Sequence, residues 1–143
     1  MKKLLTLLFL FCTVCGTAIA AEPAKVKIGI LLPLTGTFAA VAETQRDGAL
    51  LAIDVVNKRG GLNMPGGKVM LEGVVADDEA KQDVGVRRFR YMQTEGVKGL
   101  GGQTWAPLAY AINAMVTKEP LPYFPVCVMA KEAFQKGKLA DST

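Results

Sequence analysis

Four short apolar runs, each followed by a stretch of helical period, constrain this chain more than any other feature. Lys27–Leu32 reads as a buried strand that stops at Pro33. Ala40–Lys58 follows, with Ala49, Ala52, Ile53 and Val56 on one helical face and Arg59-Gly60-Gly61 as its stop. Gly48 inside it is expected to let the helix pack closely on a sheet. Asn63–Gly67, "NMPGG", reads as a turn on composition. Lys68–Ala76 is a second strand. A helix over Ala80–Glu95 turns Val86, Phe89 and Met92 inward and stops at Gly96. Val97–Gly101 is a short third strand. Pro107 opens a third helix, with Leu108, Ile112 and Met115 inside. Tyr123–Val128 is a fourth strand, trailed by an amphipathic stretch from Ala130 to Lys136.

Strands that alternate with helices predict an α/β fold: an open parallel sheet with helices on both faces. Right-handed crossovers leave few arrangements, of which the commonest small one has order 2-1-3-4. Its topological switch point falls between strands one and three, where ligands bind outside the carboxyl ends of the strands. Pro33–Thr37 and Gly101–Ala106 then face each other across that crevice. Gly36 allows a close approach of backbone to ligand, and Thr35 either offers a hydroxyl or caps the helix behind it.

The first twenty residues stand apart. Lys2 and Lys3, the apolar Leu4–Val14 and the small-residue site Ala18-Ile19-Ala20 have the layout of a secretory signal peptide, with cleavage expected after Ala20 and export of the rest. Cys12 and Cys15 leave with it, so Cys127 has no intramolecular partner. Without Lys2 and Lys3, 15 basic residues face 13 acidic ones, a balance too mild to call for nucleic acid or an anionic membrane. Histidine is absent, which excludes a Ser-His-Asp triad, a Cys-His pair and the usual zinc sites. Nothing calls for a cofactor or a metal, and no enzyme is expected.

Other constellations have plain readings. "GLGGQT", Gly99–Thr104, lacks the third glycine of a dinucleotide fingerprint and follows strand three, not strand one. A bare loop at a helix N-terminus, with free N–H groups for an anion such as a carboxylate, fits it better. Asp77, Asp78 and Glu79 suit a solvated helix start. Arg87, Arg88 and Arg90 read as a solvated face. Trp105, the single tryptophan, is expected to line the ligand crevice.

"VKIGILLPLTGTFA", "RDGALLAIDVVNKRGGL" and "ADDEAKQDVGVRRFRYMQTEGVKGLGG", in that order behind a signal peptide, resemble the periplasmic solute-binding proteins of the leucine/isoleucine/valine type. These serve ABC transporters. The resemblance runs from Lys25 to Thr143 and implies two α/β lobes that close on a small solute. It places the carboxylate-gripping loop at Gln103, Thr104 and Trp105, the amino-group contacts near Val126 and Val128, and a first-loop contact near Val41. Where the family often has a small hydroxyl residue, an amino-holding Thr and an aromatic, this chain has Trp105, Val128 and Val41. The implied ligands therefore extend from branched-chain amino acids to an amide, an aromatic acid or another small carboxylate, with Trp105 as a stacking surface.

The family is roughly two and a half times as long, so residues 21–143 are expected to form an incomplete N-terminal lobe that meets an ABC permease only through a longer form. An exported flavodoxin-like enzyme and a receptor ligand-sensing domain are the alternative readings. The lack of histidine and of a nucleophile elbow counts against the first, and the second calls for a downstream membrane segment.

Overall fold

The computed structural model describes residues 23–126. Strand β1, Ala24–Leu32, runs through the middle of a five-stranded sheet. A short 3-10 turn, Gly36–Phe38, leads into helix α1, Ala39–Lys58. Strands β2, Leu62–Met64, and β3, Gly67–Asp77, form a hairpin. Helix α2, Gln82–Thr94, then strand β4, Gly99–Gly102, helix α3, Ala106–Val116, and strand β5, Tyr123–Pro125, complete the described chain.

The sheet order is β2-β3-β1-β4-β5. β1 pairs in parallel with β3 from Ala24↔Val69 to Leu32↔Asp77, and with β4 from Ile28↔Gly99 to Leu31↔Gly102. β4 pairs in parallel with β5, Leu100 opposite Tyr123. The four expected strands thus stand in the expected order, but the sheet carries one more. Leu62–Met64 pairs antiparallel with the start of β3, Leu62 opposite Val69. The turn read over Asn63–Gly67 narrows to Pro65-Gly66, because ladder hydrogen bonds across the hairpin outweigh the turn-like composition of its flanks.

Each face of the sheet has its own core. Leu31, Leu100 and Tyr123 point to the face covered by α2 and α3, where Phe89, Met92, Leu108 and Ile112 close over them, all essentially inaccessible. The inward faces read from the sequence for both helices hold. Ile30 and Leu32 point the other way and pack with Ala42, Ala49 and Ile53 under α1. α1 covers β3 and β1 and leaves the β4–β5 side of that face open among the described residues.

Asn57 fixes α1 to the sheet. Its Nδ2 donates to the Leu71 carbonyl and its Oδ1 accepts from the Leu71 amide, both at 2.8 Å. β2 reaches β3 only as far as Val69, so Asn57 supplies the edge partners at Leu71 that a longer β2 would have given. Gly48 does not pack on the sheet: a Cβ there would meet open space. The arginines of α2 are surface groups, with Arg87 paired to Asp83 at 2.8 Å and Arg90 to Glu119 at 3.1 Å. No helix among the described residues is long and apolar enough to cross a membrane.

Candidate functional site

The carboxyl ends of β1, β3 and β4 bring three loops together. The Leu32 carbonyl accepts from the amides of Leu34 and Asp78, each at 3.0 Å, which joins the first loop to the second. Asp77 strengthens the link. Its Oδ1 accepts from the Leu34 and Glu79 amides at 2.8 Å, and its Oδ2 accepts from the Thr35 hydroxyl at 2.7 Å. Thr35 therefore neither caps a helix nor stands free; its proton is held by Asp77.

The acidic turn is not a solvated cap. Asp78 is fully buried, with Oδ1 bonded to the Ala80 amide at 2.8 Å and Oδ2 without a partner among the described residues. Burial pushes its carboxyl up to about 6, and the charge of Asp77 adds to the rise. For Asp77, burial raises the pKa, but the bonds from the Glu79 amide, the Thr35 hydroxyl and the Leu34 amide outweigh it and hold the group below its usual range. Glu79 and Ala80 have φ of 54° and 52°, so α2 cannot begin before the turn ends and starts at Gln82 instead of Ala80.

The third loop, Gly102–Trp105, turns sharply after β4. Gly102 has φ of +125°, and a Cβ there would collide with the Leu31 carbonyl. Only glycine fits. Gln103 also has positive φ, 77°, and folds inward: its amide and its Nε2 both donate to the Leu31 carbonyl at 3.1 Å. The Thr104 hydroxyl donates to Gln45 Oε1 on α1 at 2.8 Å. The Thr104 and Trp105 amides have no protein acceptor among the described residues. They stand at the N-terminus of α3, whose N-cap is Trp105 with no side-chain cap. The arrangement is a backbone cradle for a negative or carbonyl oxygen.

The predicted site residues are placed unequally. Gln103 and Thr104 lie in the loop at the switch point, but both side chains are buried, Thr104 at 1% exposure. Trp105 is half-buried and packs against the core between α2 and α3. Val41, on the first turn of α1, is 45% exposed. Val126 is 67% exposed, and its amide donates to the Gly102 carbonyl at 3.1 Å, which ties the end of β5 to the third loop. Val128 lies outside the described residues.

Gln45 was missed by the sequence reading. It stands four residues before Ala49, at the head of the apolar face of α1, and a polar residue breaking such a face was the available signal.

A cavity of about 550 Å³ runs along the open flank of the sheet beside α1, lined by residues such as Ile28, Ile30, Ala52, Ile53, Phe124 and Val126. It follows the sheet face and reaches the strand ends only at Gly102 and Val126. Among the described residues its wall holds no charged group, so the charged end of a ligand finds no partner deep within it. Gln45 is the one polar side chain among the described residues that lines it. No group of three Cys, Asp or Glu among the described residues is placed to hold a metal ion.

Comparison with known proteins agrees with this geometry. Residues 25–138 match the family described as periplasmic binding protein. The chain is 34% identical over 122 residues to Leu/Ile/Val-binding protein homolog 8 of Brucella suis biovar 1, covering 85% of this chain and 29% of that one. Among solved structures it is similar to the branched-chain amino acid transporter substrate-binding protein LivJ of Streptococcus pneumoniae in complex with isoleucine, with TM-score 0.60, 26% identity, and coverage of 69% of this chain and 28% of that one. A solute-binding protein of an ABC transporter from Rhodopseudomonas palustris, in complex with 3,4-dihydroxybenzoic acid, gives TM-score 0.53 and 26% identity over 69% of this chain and 26% of its own. The chain thus spans under a third of the length of the relatives it matches. On its matched span, its strand order and its switch-point loops, it belongs to the periplasmic binding protein family.

Proposed function

We infer that residues 21–143 form the ligand-gripping part of an N-terminal lobe in an exported solute-binding protein, which delivers a branched-chain amino acid or a related small carboxylate or amide to an ABC permease. The observation that carries this is the third loop. Gly102 and Gln103 turn the chain so that the Thr104 and Trp105 amides stand without protein acceptors among the described residues at the N-terminus of α3, beside the first loop that Asp77 holds. The relatives named for isoleucine and for an aromatic acid support the carboxylate class and leave the side chain open between aliphatic and aromatic. The protein works by binding, not by catalysis. Residues 1–20 are the signal that takes it to the periplasm and are removed after Ala20.

Val41 and Val126 are assigned to the apolar side of the proposed crevice, and Trp105 borders it from the core. A ligand held by one lobe is half enclosed, whereas a complete pocket buries about 70–90% of a ligand. Binding to residues 21–143 taken alone is therefore weak, with Kd of about 1 mM or above. The test is calorimetric titration of the exported protein with isoleucine and with 3,4-dihydroxybenzoate. Saturable binding of either, lost in a folded Gly102→Ala variant, supports the reading. Absence of binding to both, or binding untouched by Gly102→Ala, contradicts it.

A further inference from the structure

Thr104 is in the loop proposed to grip the ligand, yet its side chain is 1% exposed and its one hydroxyl proton is committed to Gln45 Oε1 at 2.8 Å. A hydroxyl so placed has no proton left for a ligand oxygen. The Gln45 amide is planar, so fixing Oε1 on Thr104 also fixes Nε2 on the opposite limb. Nε2 has no protein partner among the described residues. Gln45 is half-buried on α1 and shares a wall with Gly102 and Val126, the two residues where the third loop meets the end of β5. Among the described residues it is also the sole polar side chain of that wall. A site that is mostly apolar with one oriented polar group takes its specificity from that group.

We propose that Gln45, not Thr104, presents the side-chain donor to the solute, and that Thr104 is the positioning residue that sets the amide's orientation. The inference rests on the solute-binding reading and adds to it. Two N–H donors on Nε2 call for an acceptor on the ligand, a carboxylate or carbonyl oxygen. The Gln45 amide and the backbone N–H groups of Thr104 and Trp105 then approach that oxygen group from two sides, one from α1 and one from the start of α3. Hydroxyl-bearing Thr104 reads nothing directly.

The test uses the ¹⁵N-labelled protein, with isoleucine and 3,4-dihydroxybenzoate as probes. The Gln45 side-chain amide pair is assigned by its absence in Gln45→Ala. In the parent, that pair shifts along the same saturation curve as the backbone amides of the third loop. Gln45→Ala weakens binding about ten-fold, the effect of one lost hydrogen bond. Gln45→Glu weakens it further, because a carboxylate then faces a carboxylate. Thr104→Val moves the Gln45 pair before any probe is added and weakens binding several-fold, and Thr104→Ser restores both. A Gln45 pair that stays still while the loop amides saturate overturns the proposal, as does Gln45→Ala binding like the parent. If neither probe binds the parent, the solute-binding reading itself fails and takes this inference with it.

Discussion

Asp77 holds Thr35 across 42 positions of sequence, with the Thr35 hydroxyl 2.7 Å from Oδ2. With the Leu34 and Glu79 amides on Oδ1, one carboxylate fixes the loops after β1 and β3 against each other. Asp77→Ala strands two amides and a hydroxyl, and unfolding in urea is expected to show a loss of about 1–3 kcal/mol. The carboxylate's pKa is depressed in the fold, so its contribution is present above the usual carboxylate range and lost as pH falls through the folded value. An Asp77→Ala variant as stable as its parent at pH 7 contradicts the staple.

Asp78 acts in the opposite direction. Its folded pKa is raised to about 6, so ionising it opposes folding. Stability from the protonated form is full below the unfolded value near 4 and is lost as pH rises through about 6. Asp78→Asn is expected to remove that slope and to leave the variant more stable than the parent at pH 7, by up to about 2–3 kcal/mol, with the gap closing near pH 4. Urea titrations between pH 4 and 8 measure it. Parallel stability curves for parent and variant would refute the assignment.

Asn57 gives a cleaner test of sheet architecture. Asn57→Ala removes both partners of Leu71 and is expected to cost about 1–3 kcal/mol. Asn57→Asp keeps the acceptor but sets a carboxylate against the Leu71 carbonyl, so it should be no better. Gly48→Ala should do the reverse and stabilise α1 by about 1 kcal/mol, since the added methyl meets open space. Thermal melts of the three variants decide both points.

The open flank of the sheet predicts association. Among the described residues Phe124 is 64% and Val126 67% exposed, β5 is an edge strand, and the cavity beside α1 is apolar. Pro125 blunts the edge by removing one donor, but no charge is present in Tyr123–Val126 to oppose pairing. Sedimentation of residues 21–143 should show concentration-dependent self-association that Phe124→Lys reduces. A monomer at all concentrations would mean that this flank is covered.

Periodicity made most of the fold legible. The inward residues of α2 and α3, the sheet order and the stop at Gly60-Gly61 follow from local patterns that the tertiary structure keeps. What escaped depends on pairing at a distance. β2 has three residues, all exposed, and only its partner strand makes it a strand. Asn57 falls inside the helix read over Ala40–Lys58, and its use appears only when Leu71 lies beside it. In the site, composition located the third loop, but it could not show that Gln103 turns inward onto Leu31 or that Thr104 spends its proton on Gln45, 59 residues away.

The third loop is proposed to receive a small carboxylate. This is tested most directly by following every backbone amide of the ¹⁵N-labelled chain during titration with isoleucine. The largest saturable shifts are expected on Thr104 and Trp105, with smaller ones in Pro33–Thr37, and Gly102→Ala is expected to abolish them. Shifts centred on the exposed arginine face of α2, or on the apolar flank beside α1 with Thr104 and Trp105 unmoved, would contradict it.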